Sequence, residues 1–355
     1  DSSDTISIAE ANENTQTINL PQGWSIFSIN TLIEPEGNDL AELLENAFDA
    51  ANNDFELLLA VKNYTGMAYL PEWSFNGIGD IFPNQGYSIL TTEACSISIQ
   101  GQLVNPEEWE ISSSSSERLI IGYPRNTPAP IQHFFENPVN QISYIKDYSG
   151  NVYVPGMFDG IGELKPGEGY IVKTTSQVNH TYKPNLESYP VNTENTINNS
   201  PQNYPLTPPL GWENMVVLIR DSCWTSIPSW LDECEIGAYN QSGILIGSSK
   251  ITLPNTVITI WAKDDYTTMF YGDVGAIPGE TIKLKLLQPN GAEFDLSHSC
   301  IYDNNAFVIS EPNSIDLSNI LLLGCTDESA TNYSPYAEED DGGCTYVLGC
   351  TNESA

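Results

Sequence analysis

Positive charge is what this 355-residue chain has least of. Twelve Lys and Arg stand against 47 Asp and Glu, a formal net charge of −35. Such a field repels phosphate backbones and anionic lipid, which excludes nucleic acid and acidic membranes as partners. Polycations and divalent metals remain compatible with it, as does plain solubility. Histidine is also scarce. His133, His180 and His298 are the only three, and none has a His or Cys neighbour at ligand spacing. No G-x-S-x-G elbow, Walker loop or H-E-x-x-H occurs, so catalysis has no motif to stand on. The abundant carboxylates put some pairs at glycosidase distance by chance alone, which argues for no hydrolysis.

Long apolar runs are missing as well, and no segment approaches the roughly 18 residues that span a bilayer. Membrane insertion is therefore not expected. The seven cysteines include no C-x-x-C pair, which favours disulfides in an oxidising compartment over zinc or thiol chemistry. The chain opens on Asp1 without a basic-then-apolar leader, and reads as a mature form after processing. N-x-S/T sequons at Asn63, Asn179, Asn198, Asn240, Asn332 and Asn352 are allowed in that setting.

What is present is repetition. Residues 62–87, KNYTGMAYLPEWSFNGIGDIFPNQGY, return as residues 146–170, KDYSGNVYVPGMFDGIGELKPGEGY. The spacing is 84 residues from Lys62 to Lys146 and 83 from Phe75 to Phe158, so one residue is dropped between Pro155 and Phe158. Glycines, prolines and tyrosines keep their places, and no strong nucleophile, acid or metal ligand is shared, so the repeat is selected for shape. Gly66, Gly77, Gly79 and Gly86 are read as turns needing φ > 0, and Pro71 and Pro83 as fixed extended or turn backbone. Tyr64, Tyr69, Trp73 and Phe75 form a candidate aromatic ligand platform, against the alternative that they pack a core.

The expected architecture is mainly β. An N-terminal arm or edge strand covers 1–19, offered either to a neighbouring subunit's sheet or to its own domain. Repeat module one covers 20–103, with one helix over 39–51 whose Leu40, Leu43, Leu44 and Phe48 share a face. Module two covers 104–182. There Leu119–Pro124 stand in for the Trp24–Ile29 strand, and the helix shortens to about two turns at 130–138. Residues 183–209 read as a Pro/Asn-rich linker. Six strand candidates across 210–323 predict an immunoglobulin-like β-sandwich, with Cys223 and Cys234 bracketing one loop as a plausible disulfide. A Cys-bounded acidic repeat fills 324–355, where GCTDESA at Gly324 returns as GCTNESA at Gly349, a period of 25. The second unit is cut short, so the parent protein is expected to continue.

That tail is the strongest chemical candidate. Asp327, Glu338, Glu339, Asp340 and Asp341 crowd oxygen donors around Gly342 and Gly343, as calcium requires, while Cys325 and Cys344 would close the same loop. A structural calcium site is weighed against an uncoordinated acidic turn held by a disulfide. Seven tryptophans, Trp24, Trp73, Trp109, Trp212, Trp224, Trp230 and Trp261, offer a sugar-stacking face if several are exposed and coplanar.

The tail pattern resembles a short Cys-bounded acidic repeat found in tandem in large secreted proteins of marine Bacteroidetes and related aquatic microbes. Gly324, Cys325, Asp327, Ala330, Asn332, Tyr333, Pro335, Ala337, Asp340, Asp341, Gly342 and Cys344 carry the match, and Gly343 stands where that pattern often has Ser. The doubled module looks like one that recurs in the same kinds of protein. The stretches EIGAYNQSGILIGSSK and TVITIWAKDD are similar to a β-sandwich accompanying them. The resemblance implies an extracellular, multimodular surface, adhesion or fibre protein without established catalytic residues. The resulting expectation is a structural or adhesive protein, perceived as stiff modules in series and extending to the subunit of a surface filament. Its partners would be copies of itself, other surface components or glycans. A carbohydrate-binding protein is the first alternative and a secreted polysaccharide hydrolase the second.

Overall fold

The computed structural model describes residues 14–33, 38–114, 118–134, 139–185, 204, 206, 213–264, 268, 274–304 and 306–347, without the side chains of residues 133, 134 and 139. Two compact units divide the chain, Asp1–Thr196 and Ile197–Ala355. The six expected segments are thus gathered into two bodies, and the expected linker 183–209 lies largely outside the described residues.

In the first unit, module one contains β1 (Asn14–Leu20), β2 (Gly23–Phe27), β3 (Thr31–Leu32), helix α1 (Leu40–Ala50), β4 (Leu58–Lys62), β5 (Ala68–Leu70), β6 (Phe75–Asn76), β7 (Tyr87–Thr91) and β8 (Cys95–Leu103). Asp39 caps α1 by accepting from the amides of Ala41 and Glu42, and Leu40, Leu43, Leu44, Ala47 and Phe48 are buried along one face. β1 pairs antiparallel with β8, from Asn14 opposite Gly101 to Leu20 opposite Cys95. Residues 14–19 of the expected arm are therefore spent inside their own module, and residues 1–13 lie outside the described set.

Module two contains β9 (Glu110–Ser113), β10 (Arg118–Ile121), β11 (Ala129–Pro130), α2 (Ile131–Phe134), β12 (Ile142–Lys146), β13 (Val152–Val154), β14 (Phe158–Asp159), β15 (Glu163–Leu164), β16 (Tyr170–Thr174) and β17 (Val178–Thr181). Helix is described for one turn only, and 135–138 of the expected two turns lie outside the described residues. The main sheet of module one runs β2-β7-β4-β5-β6, and that of module two β10-β16-β12-β13-β14, the same order strand for strand. Even the irregularity is copied. Pairing slips between Leu58 and Ala60 in one module and between Ile142 and Tyr144 in the other.

The register corrects one expected alignment. Trp24 pairs with Leu90, and Arg118 pairs with Lys173, its counterpart in the second sheet. Arg118 to Tyr123, rather than Leu119 to Pro124, is thus the equivalent of Trp24 to Ile29. The buried face decides this, because Phe27 and Ile29 enter one core where Ile121 and Tyr123 enter the other. A slip of one residue would turn every side chain of the strand over.

The second unit is a sandwich of β18 (Asn214–Arg220), β19 (Glu235–Tyr239), β20 (Leu245–Lys250), β21 (Asn255–Trp261), β22 (Thr281–Leu287), β23 (Glu293–Ile301) and β24 (Phe307–Ile309). Sheet β21-β18-β24 faces sheet β20-β19-β22-β23. Met215, Val217 and Ile219 share one core cluster with Ile236, Ile282 and Leu284 from across the sandwich. All six expected strands form, and β24 is an unexpected seventh, parallel to β18. The tail follows with a parallel pair of two-residue strands, β25 (Leu323–Gly324) and β26 (Glu339–Asp340). No helix among the described residues is long and apolar enough to cross a membrane.

Candidate functional site

The repeat's shared residues serve three local devices, each made twice. Asn76 and Asp159 accept from the second and third amides downstream, at Ile78 and Gly79 (3.1 and 3.0 Å) and at Ile161 and Gly162 (3.2 and 2.8 Å). The carbonyls of Gly79 and Gly162 then accept from Leu40 and Ile131 at the starts of the helices. Tyr87 and Tyr170 clip the Pro-containing turn that precedes them. Each phenol accepts from a turn amide, Phe82 at 2.9 Å and Lys165 at 2.8 Å, and donates to the side chain of Gln85 or Glu168. Burial holds both phenols well above their ordinary pKa, so they remain neutral hydrogen-bonding groups.

The third device joins the modules. Ser28 N donates to Gly167 O and Gly169 N to Ile26 O, while Gly122 N donates to Asn84 O and Gly86 N to Ile120 O, all at 3.0–3.1 Å. These are two equivalent pairs, so the seam has a pseudo-two-fold axis. Gly86 and Gly169 meet on it, and a Cβ built on Gly169 would lie 3.2 Å from the Gly86 Cα. The expected φ > 0 holds at Gly66 (+87°) and Gly79 (+72°) but not at Gly77 or Gly86. Those two lack a side chain for another reason: the Phe75 ring crowds Gly77, and module two crowds Gly86.

The candidate aromatic platform does not assemble as one surface. Tyr69 is core, 6% exposed, whereas Tyr64, Trp73 and Phe75 are 39%, 64% and 50% exposed. Tyr64 lies in the β4–β5 turn, and with Asn84, Gln85 and Glu110 it lines a cleft of about 250 Å³ between the modules. Trp73 and Phe75 sit at the opposite end of β5, where the chain turns into the sheet's edge strand. Phe158, the counterpart of Phe75, is 7% exposed, so the extra residue near Trp73 marks a real difference between the copies. Trp224, Trp230 and Trp261 are buried in the sandwich, and Trp212 lies outside the described residues.

In the tail, Cys325 and Cys344 form the expected disulfide. The five acidic candidates do not converge. Asp327 accepts from Ser329 and from the Tyr346 hydroxyl, which hold its carboxyl below the usual range. Asp340 accepts from the Gly342 amide and the Thr326 hydroxyl, and Asp341 from the Gly343 amide and Asn290. Glu338 turns to the sandwich, taking the Trp230 indole N–H at 3.1 Å and the Leu322 amide at 3.2 Å. Glu339 lies in β26. Among the described residues, no three His, Cys, Asp or Glu side chains are grouped to hold a metal ion.

The docked tail and the sandwich enclose a cleft of about 470 Å³ whose lining includes Glu233, Leu323, Tyr333, Tyr336 and Asp341. Tyr333 and Tyr336 form its aromatic walls. Their signal was the Tyr-Ser-Pro-Tyr stretch at 333–336, which the carboxylates beside it overshadowed.

The expected Cys223–Cys234 disulfide is not formed. Both are buried free thiols, as Cys95 and Cys300 are free and partly buried. The Cys223 Sγ is directed to the Ser310 carbonyl and the Cys234 Sγ to the Trp230 carbonyl, so each thiol packs as a small apolar group with a weak donor. Burial and the adjacent Glu233 push Cys234 up to about 12. Ser310 Oγ and His298 Nε2 lie 3.1 Å apart, with Ser310 buried and His298 partly so. His180 is buried in β17, and the His133 side chain is outside the described set.

No family model and no curated protein sequence matches the chain. Two solved chains do. One is the Bacillus anthracis TIE protein, 13% identical over 73% of this chain and 47% of that chain, at a TM-score of 0.18. The match spans about half of that protein's length, and a TM-score this low transfers no fold.

Proposed function

We propose that this protein is a structural or adhesive component outside the cell, built from rigidified β modules and able to assemble with copies of itself into a surface filament. The observation that carries this reading is the seam between the modules. Four main-chain hydrogen bonds related by a pseudo-two-fold axis fuse two copies of one shape. The residues kept across both copies serve turns, clips and that seam, so duplication has preserved mechanical parts rather than a reacting group. A cystine in the acidic tail supports an oxidising location. Negative-stain microscopy and sedimentation of the full chain at rising concentration test the proposal. Regular end-to-end assemblies are expected, and a chain that stays monomeric at high concentration sinks the filament version.

A glycan-binding reading is favoured by one observation, the exposure of Trp73 and Phe75 two residues apart at an edge turn. Exposed aromatic faces stack on sugar rings. Glycan-array binding that disappears in Trp73→Ala would support this reading, and unchanged binding would remove it.

A further inference from the structure

The cleft between the sandwich and its tail sets carboxylates beside its aromatic rings, a charge that neither self-assembly nor sugar stacking requires. Beyond Lys285 the sequence contains no lysine or arginine at all, although twelve carboxylate side chains follow it. Glu233 and Asp341 stand in the lining, Leu323 and Pro289 supply apolar surface, and the rings of Tyr333 and Tyr336 are 38% and 46% exposed. Apolar walls, aromatic faces and carboxylates fit a side chain with an aliphatic stem and a cationic head.

The sandwich makes that combination internally. Lys285 Nζ lies 2.8 Å from the Glu293 carboxylate and 4.4 Å from the centre of the Tyr239 ring, while the Tyr239 hydroxyl donates to the same carboxylate at 2.9 Å. At the tail cleft the tyrosines and carboxylates are present and the lysine is not.

We propose that this cleft binds a lysine or arginine side chain presented by a basic segment of another protein. Charge decides the class of partner. An anionic ligand would meet the two lining carboxylates and the chain's net negative charge, and a second copy, with 12 basic residues against 47 acidic, is a poor donor. The cystine and the Glu338 bonds to Trp230 and Leu322 fix the tail wall against the sandwich, so the cleft is preorganised. This inference goes beyond the structural reading above and does not depend on assembly.

The test is calorimetric titration of the full chain with acetylated, amidated tetralysine and tetraarginine peptides, with tetraglutamine as the uncharged control. Tyr336→Leu keeps the charge and removes an aromatic face. Glu233→Gln removes one carboxylate from the sandwich side, independently of how the tail folds. Glu42→Gln makes the same charge change on the exposed face of α1 in the other unit. Tyr336→Leu and Glu233→Gln are each expected to weaken binding of the basic peptides by about three- to tenfold, with Glu42→Gln unchanged. Absence of binding to the parent chain overturns the proposal. So does equal weakening by Glu233→Gln and Glu42→Gln, or parent-like affinity in Tyr336→Leu, because either result means attraction by diffuse charge alone.

Discussion

A methyl group placed on Gly86 would lie 2.7 Å from both the Ile120 Cγ2 and the Ile121 carbonyl. Neither neighbour is the end of a flexible side chain, so Gly86→Ala should loosen the seam and cost about 1–3 kcal/mol. Urea unfolding of the chain measures this, and faster hydrogen exchange at Ser28 and Gly122 locates it. Gly66→Ala provides the contrast: its φ of +87° strains any side chain, but nothing lies within 4 Å, so the seam amides should keep their protection. Asp147 is a different kind of residue-scale feature. Burial, with the nearby Glu168 charge, raises its carboxyl to about 6, against the lowering effect of its hydrogen bonds from Asn151. The unfolded value is near 4. The folded state therefore holds a proton that the unfolded chain releases, and stability falls as pH rises from about 4 to 6. Asp147→Asn installs the residue that module one has at Asn63. It should raise Tm at pH 7 and change it little at pH 4, and an equal shift at both would rule out this origin.

At the scale of elements, the phenol clip is the part most easily isolated. Tyr170→Phe deletes one hydroxyl that satisfies the Lys165 amide and reaches Glu168. The expected loss is about 1–2 kcal/mol, with the Lys165 amide exchanging faster. Tyr87→Phe should repeat the effect at Phe82, because the two turns are built alike. If only one variant responds, the equivalence of the clips fails. Elements also explain where the copies diverge. The shared centre keeps strand order and bulge, while the connection from β10 to β12 reduces an 11-residue helix to one described turn. Connections tolerate such change because they carry fewer of the sheet's pairing constraints.

At the scale of the whole molecule, one cystine and four free thiols among the described residues divide the response to redox conditions. Cys325 and Cys344 are separated by 19 residues, and removing the bond should cost the tail about 3 kcal/mol in the loop-entropy account. Reduction, or Cys344→Ser, should therefore expose 324–347 to protease while the sandwich core resists digestion. Mass spectrometry after brief iodoacetamide treatment should leave Cys223 and Cys234 unmodified in the native chain and modify both in denaturant. Rapid native labelling of either would contradict their burial in the sandwich core. A protease pattern unchanged by reduction would show that the Trp230–Glu338 and Asn290–Asp341 hydrogen bonds hold the tail without its cystine.

Local pattern made much of this protein legible. Alternation and turn residues placed the six sandwich strands, the spacing of Leu40, Leu43, Leu44 and Phe48 placed α1, and the doubled Gly/Pro centre announced two like modules. The Cys325–Cys344 loop was legible because its partners are close in sequence and flank a tight acidic turn. Long-range relations stayed hidden. Cys223 and Cys234 are also close in sequence, yet packing directs their sulfurs to different carbonyls. The carboxylates of 327–341 read as one cluster, but turn amides and a sandwich tryptophan draw them apart. Gly86 read as a turn residue, whereas its partner is a glycine 83 residues away that only the tertiary fold brings to it. A sequence sets the propensity of neighbours, and which distant surfaces exclude water together is decided by the folded chain.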